Sequence, residues 1–323
     1  MTQDWLACIG NTPLVRLSRL FPRDRGIAVY AKLEMLNPIG STKDRPAARM
    51  IAAAIEQGLI GPGSVVIESS SGNMAISLAA ICSRLEMRFI SVVDPKTTLQ
   101  NIRIMQAYGA EIERVEEPDP ESGEFLPARL KRVQELLARI PNSYWPNQYA
   151  NPHNVLAHRD GTMREIVSEL GRVDYVMGGV STCGTMRGCA AYVETHRLAT
   201  RIVAVDAVGS VILGGSKGKR LFPGLGAGIV PPLGEVAFMD EAIQVPEAEM
   251  ITGCRQLVRR ESILAGPSSG AVVAAMGRLW PTLPDGAVCV LILHDRGERY
   301  LDTLYDDAWV SRHFGDTVLA EPE

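Results

Sequence analysis

Three short stretches of the sequence combine small hydroxyl residues with glycine: Ser69-Ser-Ser-Gly-Asn73, Ser181-Thr-Cys-Gly-Thr185 and Gly266-Pro-Ser-Ser-Gly270. Glycine lets a backbone approach a ligand closely, the hydroxyls donate hydrogen bonds, and the free amides that open a helix attract an anion. Any one such loop is commonly no more than a capped helix start. Three in one chain point to a socket for an anionic ligand. Neither G-x-G-x-x-G nor G-x-x-x-x-G-K-S/T occurs, so the spacing does not ask for a nucleotide. A fourth stretch, Asn37-Pro-Ile-Gly-Ser-Thr-Lys-Asp-Arg45, sets Lys43 in a Gly-Ser turn just ahead of a helix. A lysine in a turn is ordinarily a surface residue. At a helix N-terminus, however, the positive end of the dipole is expected to lower its pKa toward that of a nucleophilic amine. One reactive amine beside a phosphate socket is what pyridoxal 5'-phosphate requires, a Schiff-base partner for its aldehyde and a grip on its phosphate.

Such loops need strands and helices to aim them, and the sequence alternates the two. Ser64–Glu68, Arg88–Val93, Glu111–Val115, Asp174–Val180, Arg201–Val208 and Val288–Leu293 read as strands. Between them, Asn73–Arg84, Leu99–Tyr108, Phe125–Ile140, Val155–Leu170, Thr185–Arg197, Met250–Arg260 and Gly270–Leu279 carry helical periodicity. In Phe125–Ile140 the expected buried stripe is Leu126, Leu130, Val133, Leu136 and Leu137. Glu117–Gly123 reads as an exposed acidic turn, and Tyr144–Pro152 as a crossover between two units. Gly209–Pro232, long and rich in glycine, is expected to serve function, since long irregular loops seldom stand idle. This pattern predicts an α/β protein with a mostly parallel sheet in each of two units and a cleft between them.

The length, 323 residues, matches two domains at roughly 150 residues each. A net charge of −4 excludes attachment to nucleic acid or membrane by bulk basic charge. Apolar runs such as Val288–Leu293 fall far short of the roughly 20 residues that span a bilayer. No basic stretch and apolar core of a secretory signal opens the chain. The six cysteines form no CxxC pair and the five histidines lack metal-ligand spacing, so reduced thiols, no metal site and a cytoplasmic location are expected.

The motifs closely resemble those of the fold-type II pyridoxal phosphate enzymes (the tryptophan synthase β-like fold), in particular the cysteine synthase and cystathionine β-synthase group. The likeness runs from Ile9-Gly-Asn-Thr-Pro-Leu-Val-Arg16 through Asn37–Arg45, Ser70–Asn73, Gln148–Pro152 and Ser181–Thr185 to Pro267–Ala271 and Gly297-Glu-Arg-Tyr300, in order and over nearly the whole chain. It implies that Lys43 carries the cofactor as a Schiff base and removes the substrate's α-proton. It further implies that Asn73 bonds the ring hydroxyl oxygen, that Ser181, Thr182, Cys183, Gly184 and Thr185 hold the phosphate, and that Ser268 faces the pyridine nitrogen. Ser70, Ser71, Gly72 and Gln148 would grip the substrate carboxylate. Residues 1–39 with 151–323 would form a larger cofactor-binding domain, and 40–150 a smaller mobile one. The group is dimeric, which implies a homodimer.

Several positions depart from the group's usual pattern. G-T-G-G-T becomes Ser181–Thr185, S-G-N-T becomes Ser71-Gly-Asn-Met74, and Q-F becomes Gln148-Tyr149. Ser181 and Tyr149 each add a hydroxyl, which suits an oxygen-rich leaving group such as phosphate. Arg129 could add a charge-assisted bond to it, or be a solvated helix residue. Met74 has no predictable effect. Cys183 is expected to act through its backbone amide, because nothing near it in sequence would activate a thiol. His294, where the group often has proline, reads as a hydrogen-bonded part of a strand end. These departures, with Glu68–Ala75 and Tyr144–Tyr149, resemble a narrower family, the N-(2-amino-2-carboxyethyl)-L-glutamate synthases. That implies β-replacement on O-phospho-L-serine by the amine of L-glutamate, with a downstream dehydrogenase releasing 2,3-diaminopropionate for siderophores or related products. The alternatives are a cysteine synthase using O-acetyl-L-serine or O-phospho-L-serine with sulfide, and a non-catalytic regulatory binding module. Intact Lys43, Ser71, Gly72, Asn73 and Gln148 oppose the last.

Overall fold

In the computed structural model, which describes residues 4–22, 24–235 and 237–319, the chain builds two sheets. It opens with Leu14–Arg16 (β1), antiparallel to Ala28–Leu33 (β2), then leaves that sheet through helix Asp44–Glu56 (α1). Helix α1 buries Ala47, Met50, Ile51 and Ala54, a stripe at three- and four-residue spacing. An alternation of strand and helix follows: Val65–Ser69 (β3), Asn73–Arg84 (α2), Arg88–Val93 (β4), Leu99–Ala107 (α3), Glu111–Arg114 (β5), Phe125–Arg139 (α4) and Ser143–Tyr144 (β6). These strands pair in parallel in the order β5-β4-β3-β6.

The chain then returns through Pro152–Ala157 (α5) and Arg164–Leu170 (α6) to Tyr175–Gly179 (β7), Gly184–His196 (α7), Arg201–Ala207 (β8) and Glu241–Val245 (β9). Helices Glu247–Glu261 (α8) and Pro267–Leu279 (α9) precede Val288–Leu293 (β10), and Asp307–Phe314 (α10) follows it. The second sheet runs β1-β2-β10-β7-β8-β9, with β10 inserted between the early strand β2 and β7. Because helices cover both faces, β10 is apolar throughout. Leu291 and Leu293 join the core under α8 and α9, whereas Val290 and Ile292 join the core that holds Met186 and Cys189 of α7. The four-stranded sheet divides in the same way. Val66, Phe89 and Val93 pack with α1, α2 and α3, and Val65, Ile67, Ile90 and Val92 with Val133 and Leu136 of α4.

One expectation is refined and one corrected. The helix expected over Val155–Leu170 is present, continuous from Pro152 to Leu170, but a π-helical turn, His158–Met163, lies within it between α5 and α6. A Cβ at Gly161 would stand 2.9 Å from Arg45 Nη1, so the widened turn and its glycine admit that guanidinium. Arg45 is buried there with Glu34 (2.7 and 2.8 Å) and Glu165 (2.7 Å twice), and Lys32 Nζ reaches Glu165 at 2.7 Å. The stripe on α4 is also shorter than expected. Val133 and Leu136 are buried, but Leu126 and Leu130 are only partly covered, because the first turns of α4 overhang the cleft instead of the sheet.

Candidate active site

Lys43, the 69–73 loop after β3, the 181–185 loop after β7 and the first turn of α9 converge on a cavity of about 570 Å3. Lys43, Ser70, Ser71, Gly72, Asn73, Met74, Arg129, Gln148, Tyr149, Ser181, Thr182, Cys183, Gly184, Thr185 and Ser268 all line it. Part of the 209–232 loop, residues 217–228, forms a further wall.

Lys43 is the residue that caps α1. Its pKa is lowered as expected, but the cause differs: burial is the main influence, opposed chiefly by the negative charges of Asp295 and Glu34. Part of its surface stays open to the cavity, while protein surrounds the rest.

The 181–185 loop turns into α7 at Gly184, so the unpaired amides of the first helical turn face the cavity's end. Cys183 makes the turn in a left-handed conformation, φ 67°, which an L-residue holds only under constraint. Burial pushes its thiol up to about 12, which leaves the backbone as its contribution. A Cβ at Gly184 would collide with the Asn154 carboxamide, which itself donates to Gln148 O (2.8 Å) and Thr182 Oγ1 (3.2 Å). Thr185 Oγ1 lies 3.2 Å from His158 Nε2, and His158 Nδ1 lies 2.9 Å from Thr162 Oγ1, so the wall behind the loop is braced. A glycine-opened helix start with two threonine hydroxyls has the chemistry of an anion cradle.

On the opposite wall, Ser70 Oγ accepts from Ala75 N (3.2 Å), and the Ser71 carbonyl accepts from Asn101 Nδ2 (3.1 Å). Glu68, wholly buried, anchors this wall. Its carboxylate accepts from Ser69 N (2.9 Å), Trp145 Nε1 (3.0 Å) and Gln148 N (3.1 Å), while burial raises its pKa to about 7. Gln148 Nε2 and Tyr149 OH both donate to Ser69 O, at 3.2 and 3.3 Å. Arg129 is not solvated: its Nε is buried, 3.4 Å from Asp94 Oδ2 and without a well-formed hydrogen bond, and its charge reaches Tyr149 and Glu68. At the mouth, Lys217 Nζ pairs with Glu124 Oε1 at 2.6 Å, joining the 209–232 loop to the residue just before α4.

Asn73 donates to Asp295 Oδ2 (2.9 Å), which also accepts from Tyr300 OH (2.8 Å), while Asp295 Oδ1 is buried and unbonded. Ser268 opens α9 and faces the same space. Sequence reasoning missed Glu68, Asp94, Asn154 and Asp295 as parts of this site. A signal existed for Glu68 alone, a carboxylate ending an otherwise apolar strand. His294 corrects the expectation of a hydrogen-bonded strand end, since both its ring nitrogens are buried without a partner. Among the described residues no cluster of His, Cys, Asp and Glu could hold a metal, and no helix is long and apolar enough to cross a membrane.

The residues present fit pyridoxal phosphate. An amine whose charged form burial disfavours stands in one cavity with an anion cradle and with buried polar atoms, Asp295 Oδ1 among them, that lack protein partners. Comparison with known proteins agrees. Residues 6–295 match the family described as pyridoxal-phosphate dependent enzyme. N-(2-amino-2-carboxyethyl)-L-glutamate synthase of Ralstonia nicotianae is 48% identical over 306 residues, 94% of this chain and 90% of that one. Its namesake in Cupriavidus metallidurans is 47% identical over 308 residues, with the same two coverages. Among solved structures, O-ureido-L-serine synthase superposes with a TM-score of 0.86 at 31% identity, covering 96% of this chain and 99% of that one. An O-acetylserine-dependent cystathionine β-synthase from Helicobacter pylori gives 0.85 at 32% identity, covering 94% and 98%. With its sheets, its lysine and its cradle in this arrangement, the chain belongs to the fold-type II pyridoxal-phosphate-dependent enzymes.

Proposed function

We propose that the protein catalyses β-replacement on O-phospho-L-serine by the amine of L-glutamate, yielding N-(2-amino-2-carboxyethyl)-L-glutamate and phosphate. The observation that carries this reading is the near-half identity, over 94% of the chain, with two enzymes named for that product. In the net reaction a Cβ–O bond breaks, phosphate departs, a Cβ–N bond forms, and the proton lost from Cα is restored there.

Bound pyridoxal phosphate supplies an aldehyde for linkage to an amino group and a ring that draws electrons from the attached Cα. The chain supplies the rest. Lys43 Nζ, its ammonium form disfavoured by burial, holds the cofactor, accepts the Cα proton and returns it. Thr182, Thr185 and the amides from Ser181 to Thr185 bind the cofactor phosphate. Asn73 orients the ring hydroxyl, and Ser268 presents a neutral hydroxyl to the pyridine nitrogen. A serine hydroxyl there, unlike a carboxylic acid, would leave that nitrogen unprotonated, which suits loss of a β-group. Ser70, Ser71 and Gln148 bind the substrate carboxylate, with Gln148 held in register by Glu68. Arg129, Tyr149 and Ser181 bind the departing phosphate, and Met74 shapes the wall beside them.

In this reading residues 40–150 close over bound substrate against 1–39 and 151–323. The enzyme works as a cytoplasmic homodimer, and a dehydrogenase consumes its product toward 2,3-diaminopropionate and siderophore-type compounds. The test is phosphate release from O-phospho-L-serine with L-glutamate or sulfide as second substrate, with products identified by mass. Glutamate-dependent turnover giving the adduct supports the reading. Turnover with sulfide alone makes the protein a cysteine synthase and overturns it, as does the absence of turnover with either. Crystals that superpose with and without substrate would refute closure.

A further inference from the structure

His294 ends up where the family chemistry assigned to the other residues does not reach. It follows β10, is 6% exposed and lines the cavity. Its backbone is clamped on both sides: the N–H donates to Ser269 Oγ (3.1 Å) and the carbonyl accepts from Thr42 N (2.8 Å). The ring therefore hangs from a fixed point between the residue before Lys43 and the residue after Ser268. A methyl group built on Gly179 would stand 3.5 Å from His294 Cε1 and 3.6 Å from Ser268 Cβ, so the two side chains flank one patch at the end of β7. No protein atom hydrogen-bonds to Nδ1 or Nε2, and both are buried. Burying two polar nitrogens in this way is unfavourable unless a ligand supplies partners. Burial first, and then the charge of Lys43, pushes the imidazole down to about 3. At working pH the ring is neutral, with one N–H donor and one bare acceptor.

We propose that His294 contacts the bound cofactor directly, its neutral imidazole donating at the pyridine edge beside Ser268. The imidazole N–H and the Ser268 hydroxyl would share the ring nitrogen's single lone pair, and neither would transfer a proton to it. The ring is thereby kept a moderate electron sink, in keeping with loss of a β-group.

The test uses the resting protein without substrate, so its outcome does not depend on which amino acids the enzyme joins. Protein carrying 15N-labelled histidine is followed by NMR before and after loading with pyridoxal phosphate, with His294 assigned by its absence in His294→Gln. The His294 nitrogens should shift on loading. His294→Phe should weaken cofactor retention by about five- to ten-fold, the loss of one net hydrogen bond, and displace the visible absorption band. His294→Gln, which keeps a neutral donor, should restore both to within about two-fold. Nitrogens that do not move on loading overturn the proposal even if the Phe variant fails to fold. A Phe variant with unchanged retention and spectrum overturns it too.

Discussion

Arg129→Met removes a guanidinium while keeping an unbranched apolar stem on α4. The arginine is only 11% exposed and Asp94 8%, yet their separation is 3.4 Å and Nε lacks a well-formed bond. Its charge is therefore available to an anion entering the cavity. A hydrogen bond to a charged group is worth about 1.5–3 kcal/mol, which corresponds to about 10- to 150-fold in kcat/KM. O-phospho-L-serine turnover should fall by that factor, while O-acetyl-L-serine, which lacks the charged leaving group, should change by less than about three-fold. Asp94→Asn should act in the opposite direction on phosphoserine alone, because it removes the competing carboxylate. The assay measures initial rates of phosphate and acetate release with saturating cofactor and a fixed second substrate. Thermal melts confirm that each variant is folded. Equal losses on the two substrates, or none on phosphoserine, would refute the assignment of Arg129 to the leaving group.

Tyr149→Phe combined with Ser181→Gly should likewise reduce phosphoserine use more than acetylserine use; parallel losses would mean the hydroxyls serve the fold. Arg45→Met strips two charge-assisted bonds from the wholly buried Glu34, and breaking such a pair typically costs about 3–5 kcal/mol. Urea unfolding should detect this, and a loss below about 1 kcal/mol would show that water compensates the stranded carboxylate. Burial disfavours the ionised form of Glu68 and pushes its pKa up to about 7 in the native protein, from an ordinary glutamate value of 4.5. The native state then holds the extra proton between those values. Stability from this group is complete below about pH 4.5 and declines through pH 7, by on the order of 3 kcal/mol. Glu68→Gln should flatten that part of the stability profile, and an unchanged slope would assign it to other groups.

The fold was legible wherever the periodicity was local. Asn73–Arg84, Arg88–Val93 and Val288–Leu293 stand where their apolar patterns put them. The helix expected over Val155–Leu170 is there, but its π-helical turn was not legible, because the guanidinium packed against it belongs to Arg45, more than a hundred residues away in sequence. The cavity's lining was legible because each loop carries its own signature of small residues and a helix start. Its bracing was not. Asn154, Glu68 and Asp295 act through partners that only the tertiary structure brings near, and no spacing rule links Asp295 to Asn73. Arg129 shows the same limit from the other side: helical position told of a charged residue, not that the first turns of α4 overhang a cleft.

The place of β10 bears on how the protein is made. The four-stranded sheet is encoded within residues 65–144 and can assemble as that segment leaves the ribosome. The larger sheet cannot. Its centre waits for residues 288–293, while β2 has been available since residue 33. About 250 residues of synthesis separate the two, on the order of ten to fifty seconds at ordinary elongation rates. Throughout that interval β2, and from residue 179 onward β7 as well, keeps the edge that β10 will occupy unpaired, and nascent chains that meet can join through those free N–H and C=O groups. Yield of the folded protein should therefore depend on crowding of ribosomes along the message and on chaperones that cover those edges, more than on the stability of the finished sheet.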